Sequence, residues 1–109
     1  MATTYKILGQ SIPTAATATT LYTVPAATTA IASTLQICNQ AGTAGTFNVA
    51  ARPLGASLTT AHYLLYNTAI AANDALSLTI GMCLSATDVI TIQSSSGNIS
   101  FTLFGSELT

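Results

Sequence analysis

Ile31-Ala-Ser-Thr-Leu35-Gln-Ile37-Cys-Asn39, Gln40-Ala-Gly42-Thr-Ala-Gly45 and Thr46-Phe47-Asn-Val49-Ala-Ala51-Arg52-Pro53 follow one another without a break. They read as a strand, a tight turn and a second strand. In both outer segments the larger apolar side chains fall mainly at odd positions, the period of two that marks a half-buried strand. Gly42 and Gly45 can take positive φ at little steric cost, and Pro53 ends the second strand by removing a backbone donor. The expectation is a hairpin whose apolar face carries Ile31, Leu35, Ile37, Phe47 and Val49. A lone hairpin is marginal in water, so other strands must cover that face.

Working outward, the same reading finds those strands. Thr4-Tyr5-Lys6-Ile7-Leu8 is a short edge strand or an arm, and residues 13–20 form an Ala/Thr tract with nothing to cap a helix. Leu21-Tyr22-Thr23-Val24 is a strand ended by Pro25. Residues 54–61 lack any period and read as a connection into His62-Tyr63-Leu64-Leu65-Tyr66, a strand with bulk on both faces, which suits a central strand or a subunit contact. From the Asn73-Asp74 turn signal, Leu76, Leu78, Ile80, Met82 and Leu84 alternate with small or polar residues, with Gly81 marking a bulge or bend. Val89-Ile-Thr-Ile92-Gln and Ile99-Ser-Phe101-Thr-Leu103-Phe104 complete the set. The short Thr68-Ala-Ile-Ala-Ala72 run is the one place a helical turn would fit. The expected fold class is therefore all-β: a single-domain β-sandwich, jelly-roll-like or Ig-like, of about eight short antiparallel strands. Its expected divisions are an N-terminal strand or arm and loop over 1–20, the sandwich over 21–104, and a tail over 105–109 free to leave the domain.

Composition limits the function. The 109 residues suffice for one domain with a core of its own. Only 5% are charged, against roughly a quarter in an average soluble domain. Lys6 and Arg52 are the only permanent cations, too few to release counterions from a nucleic acid, so no nucleic-acid partner is expected. Mean hydropathy is +0.57, yet no window of ~18 residues is free of polar clusters, so no membrane partner is expected. Residues 1–10 lack the apolar core of a signal peptide, which reads as synthesis in a cytoplasm. Cys38 and Cys83 are then expected to stay reduced.

No chemistry-bearing constellation emerges. A Ser57, His62 and Asp site would need three groups brought together that no motif places together. Asp74 and Asp88 sit in turn contexts, where carboxylates bond nearby backbone N–H groups. One His and two separated Cys lack zinc spacing, and Gly42 and Gly45 precede a strand rather than a phosphate-binding helix. No catalytic, cofactor or metal residue is expected, and the chain reads as non-enzymatic. Tyr5, Tyr22, Tyr63 and Tyr66 are the aromatics a glycan-binding face would use, although Tyr in strands is ordinary packing more often.

Leu21-Tyr22-Thr23-Val24-Pro25, Ile37-Cys38-Asn39, Phe47-Asn48-Val49-Ala50-Ala51-Arg52-Pro53, Ala71-Ala72-Asn73-Asp74, Thr87-Asp88-Val89-Ile90-Thr91-Ile92 and Phe101-Thr102-Leu103-Phe104-Gly105 together resemble the small virion structural proteins of tailed bacteriophages, cyanophages especially. These include capsid cement (decoration) proteins and related tail or baseplate accessory proteins. The resemblance implies a non-enzymatic protein on the capsid surface of a virion, stabilising the head shell by binding the major capsid protein. It also implies copies at three-fold positions, hence a homotrimer. The alternative it leaves is a tail, baseplate or fibre accessory protein that binds a receptor or glycan. Self-association also follows from composition: with so few charges, apolar surface and strand edges need a closed assembly to hide them. The residues expected at an oligomer or capsid contact are Tyr63, Leu64 and Tyr66, with the Pro13 to Thr20 tract as an arm reaching a neighbour.

Overall fold

The structure, a computed structural model, describes residues 3–109. It has eight strands: β1 (Thr3–Ser11), β2 (Thr19–Thr23), β3 (Thr29–Asn39), β4 (Gly45–Arg52), β5 (Tyr63–Ile70), β6 (Ala75–Leu84), β7 (Val89–Ser94) and β8 (Ile99–Leu108). They form two antiparallel sheets, in the orders β1-β8-β3-β6 and β2-β7-β4-β5. The expected all-β sandwich is thus present, and the strand order is that of a jelly roll, two Greek keys wound into facing sheets. The helical turn fitted to residues 68–72 is absent: Ile70 ends β5, and short 3-10 turns lie instead at Pro53–Gly55 and Thr60–His62.

The central hairpin is not one. β3 pairs with β6 and β8, whereas β4 pairs with β5 and β7, so residues 40–44 carry the chain from one sheet to the other. Of all consecutive strands only β4 and β5 are hydrogen-bonded neighbours. The crossing is organised by Asn39, a buried side chain, rather than by glycines at positive φ, which are Gly55 and Gly81. Asn39 Nδ2 donates to the carbonyls of Thr43 (2.9 Å) and Ala71 (3.1 Å), and its Oδ1 accepts from the Ala41 N–H (3.0 Å). At the opposite end Asp88 does similar work, its carboxylate oxygens accepting from the N–H groups of Leu54 and Ser85, both at 2.9 Å. Asp74 accepts from the Ala75 N–H, so both acids serve turns, as their contexts suggest.

Between the sheets lie Leu35, Ile37, Phe47, Val49, Ile90, Ile92, Ile99, Phe101 and Leu103, all essentially without solvent contact. Phe47 and Phe101 meet edge to face across the sandwich at 5.9 Å between ring centroids. Each such side chain contributes about 1.5–3 kcal/mol on burial. Ile31 departs from its expected place. The register of β3 shifts between Ala32 and Thr34 against both neighbours, so Ala30 and Ala32 point inward before the shift and Leu35 and Ile37 after it. Ile31 consequently emerges on the outer face.

The expected N-terminal edge strand is present as β1, but it and residues 105–108 belong to the sandwich. β1 is an edge strand paired along β8, and residues 105–108 continue β8 rather than forming a tail, with Ser106 and Glu107 buried. The Ala/Thr tract is no projecting arm. Pro13 is buried, the Ala16 N–H donates to the Ser94 carbonyl at 2.7 Å, and Thr20 lies within β2 opposite Thr91.

Candidate functional site

Strand alternation decides which side chains reach solvent. On β1, Tyr5 and Ile7 share the outer face with Ile31 of β3 and Phe104 of β8, because Tyr5 lies opposite Ser106, Ile7 opposite Phe104 and Ser106 opposite Ile31 in register. Tyr5 is 84% exposed, Ile7 49%, and Ile31 and Phe104 38% each. Together with Lys6, Ser33, Gly105 and Ser106 they line a shallow concavity of about 660 Å³. Gly105 deepens it: a Cβ there would strike the Ile31 carbonyl, so the two strands approach more closely than any other residue allows. Burying four apolar side chains that are already partly covered yields on the order of 5 kcal/mol. Losing the freedom of an independent molecule costs about 4 kcal/mol or more. One such face alone holds a partner weakly.

The second exposed apolar region is on β5. Leu64 and Tyr66 face solvent, and half-buried Tyr63 packs edge to face on Tyr66 at 4.9 Å. β5 is an edge of its sheet, not a central strand, so the expected contact residues Tyr63, Leu64 and Tyr66 lie together and accessible. Pro13 and Thr20, expected with them, do not join the group. Ile7, Ile31 and Phe104 went unnoticed as surface residues. The signal for Phe104 was there in Leu103-Phe104, adjacent bulk that must point to opposite faces.

The flank where β1 meets β2 is sealed by a polar bridge between the sheets. Glu107 of β8 accepts from Lys6 Nζ at 2.8 Å through Oε1 and from the Tyr22 hydroxyl through Oε2. The Lys6 ammonium, then the Tyr22 hydroxyl, hold the Glu107 carboxyl below the usual carboxylate range. Burial, reinforced by the neighbouring carboxylate, pushes the Tyr22 phenol well above its ordinary value. A phenol that stays protonated donates, and a carboxylate that stays ionised accepts, so the trio is a lock rather than an acid–base pair.

Two further polar side chains bond the backbone. His62 Nδ1 accepts from the Thr59 N–H at 3.2 Å, and Arg52 donates to the Ala56 carbonyl at 3.3 Å. Among the described residues no group of three His, Cys, Asp or Glu side chains could hold a metal ion. Cys38 and Cys83 are free thiols. Cys83 lies opposite Ile31 in β3, seven residues from Cys38 along that strand, or roughly 23 Å, far beyond disulfide reach. The surface can offer area and shape. No family model, curated protein or solved structure matches the chain.

Proposed function

We propose that this chain is a non-enzymatic structural protein of a bacteriophage particle, a cement protein that self-associates and lies on the head shell against the major capsid protein. The observation that carries the proposal is the concave apolar face of Tyr5, Ile7, Ile31 and Phe104 on a protein with almost no charge. Such a face binds by apolar area and too weakly to act singly, which suits a subunit held by a lattice and by its own copies. Support also comes from the resemblance to tailed-phage virion proteins and, as a fold-level analogy, from the use of jelly rolls in viral capsids. The exposed Tyr5 and Tyr66 favour a second reading, a tail or fibre accessory protein whose aromatics stack on a glycan.

Mass spectrometry of separated heads and tails from the encoding phage tests this. The proposal expects the chain in heads, in copies comparable to the major capsid protein. A few copies confined to tails support the second reading, and absence from particles overturns both. Attachment should survive molar salt, because no charge cluster carries it. Release by moderate salt contradicts apolar docking.

A further inference from the structure

A sheet edge offers unpaired N–H and C=O groups, and proteins guard such edges with charges, bulges, proline or brevity. Three of the four edges here are guarded by more than a single bulge. β1 carries Lys6 and a register shift at Leu8, β2 is five residues long with a shift before Tyr22 and Pro25 beyond it, and β5 is broken near Asn67, which sits at φ +49°. β6 is ten residues long, has no charged residue, and among the described residues pairs with β3 alone. Its run from Ala75 to Thr79 pairs with β3 in unbroken register, and its one irregularity is a shift at Ile80 and Gly81, where Gly81 takes φ +60°.

The flank beneath that edge is also unfinished. Leu76, Leu78, Ile80 and Met82 point toward the core but remain half-buried, packed against it on one side only. A gap of about 170 Å³ opens between β5 and β6, lined by Leu64 and Leu65 on one strand, Leu78 and Ile80 on the other, and Leu35 and Val49 at its floor. The opposite flank is bridged by Lys6, Glu107 and Tyr22.

We infer that the free edge of β6 pairs antiparallel with β6 of a second copy about a two-fold axis at Leu78, joining the two four-stranded sheets into one of eight. The inference rests on the self-association proposed above and assigns it a surface. A second copy fits because the strand is self-complementary in this register: Leu78 meets Leu78, Leu76 meets Ile80, and on the other face Ser77 meets Thr79. Asp74 falls opposite Met82 rather than another acid. The flank is roughly 33 Å long at strand rise and the molecule 19 Å thick, which offers on the order of 1,200 Å² over both copies, the lower bound for a stable interface. Two-fold pairing yields dimers or assemblies of dimers, so three-fold contacts belong to another face.

The test uses the full chain in sedimentation equilibrium. Ser77→Lys with Thr79→Lys places lysines on exposed positions, where each faces another across the axis. Self-association should weaken at least about tenfold while the cooperative melt is retained. In a Cys38→Ser/Cys83→Ser background, Leu78→Cys should give an interchain disulfide on mild oxidation. A wild-type oligomer that ignores both lysines and does not cross-link, or a wild-type trimer, overturns the assignment to β6 and leaves self-association standing. A wild-type monomer overturns both.

Discussion

Phe47→Ala removes the ring that joins the two sheets. Phe47 is 1% exposed and meets Phe101 edge to face, so its truncation loses burial of the ring, opens a cavity and leaves Phe101 without its partner. Large-to-small changes of this kind cost about 3–5 kcal/mol, and an aromatic pair adds roughly 0.5–1.5 kcal/mol to what area alone gives. Against a total stability of about 5–15 kcal/mol this is a large share. At about 4 °C per kcal/mol for a domain of this size, the melting temperature should fall by roughly 12–20 °C. Thermal unfolding followed by circular dichroism measures it, with Phe104→Ala as the control. Phe104 is two-fifths exposed on the outer face, and its loss should cost a third of that or less. Equal shifts in the two variants, or an unchanged melt for Phe47→Ala, would refute the assignment of inner and outer faces.

The Glu107 lock gives a pH dependence. Its folded carboxyl titrates below the unfolded value of about 4.3, so its contribution is complete above that pH and is lost as pH falls through the folded value. Tyr22 titrates above its ordinary value of about 10, so its contribution disappears as pH rises beyond that point. Glu107→Gln should flatten the acid limb of a stability–pH curve, and an unchanged limb would argue against the lock. Asn39→Ala frees two carbonyls and one N–H at the sheet crossing. It should cost about 1–3 kcal/mol, read by urea denaturation, and speed hydrogen exchange at Ala41.

Strands such as β3 and β6 were legible in the sequence because period-two alternation depends only on one face being buried. Partners were not legible, since alternation says which side chains point inward and not which strand lies alongside. A short turn between Asn39 and Thr46 therefore looked like a hairpin although it joins opposite sheets. Ile31 was misplaced by a bulge at Ser33, a residue with no distinguishing chemistry. Glu107 looked like part of a solvated tail because a lone acid among small residues signals exposure, while its partners, Lys6 and Tyr22, are remote in sequence. The exposed bulk of β5 was legible through large side chains at consecutive positions, the same signal that Phe104 carries. Ile7 and Ile31 carry no such mark: only register places them beside Phe104.

The central proposal is that copies of this almost uncharged jelly roll cover one another's open flank. Light scattering coupled to size-exclusion chromatography at micromolar concentration tests the self-association directly. The account predicts a mass that is a multiple of 11.1 kDa, and a stable monomer at that mass would contradict it.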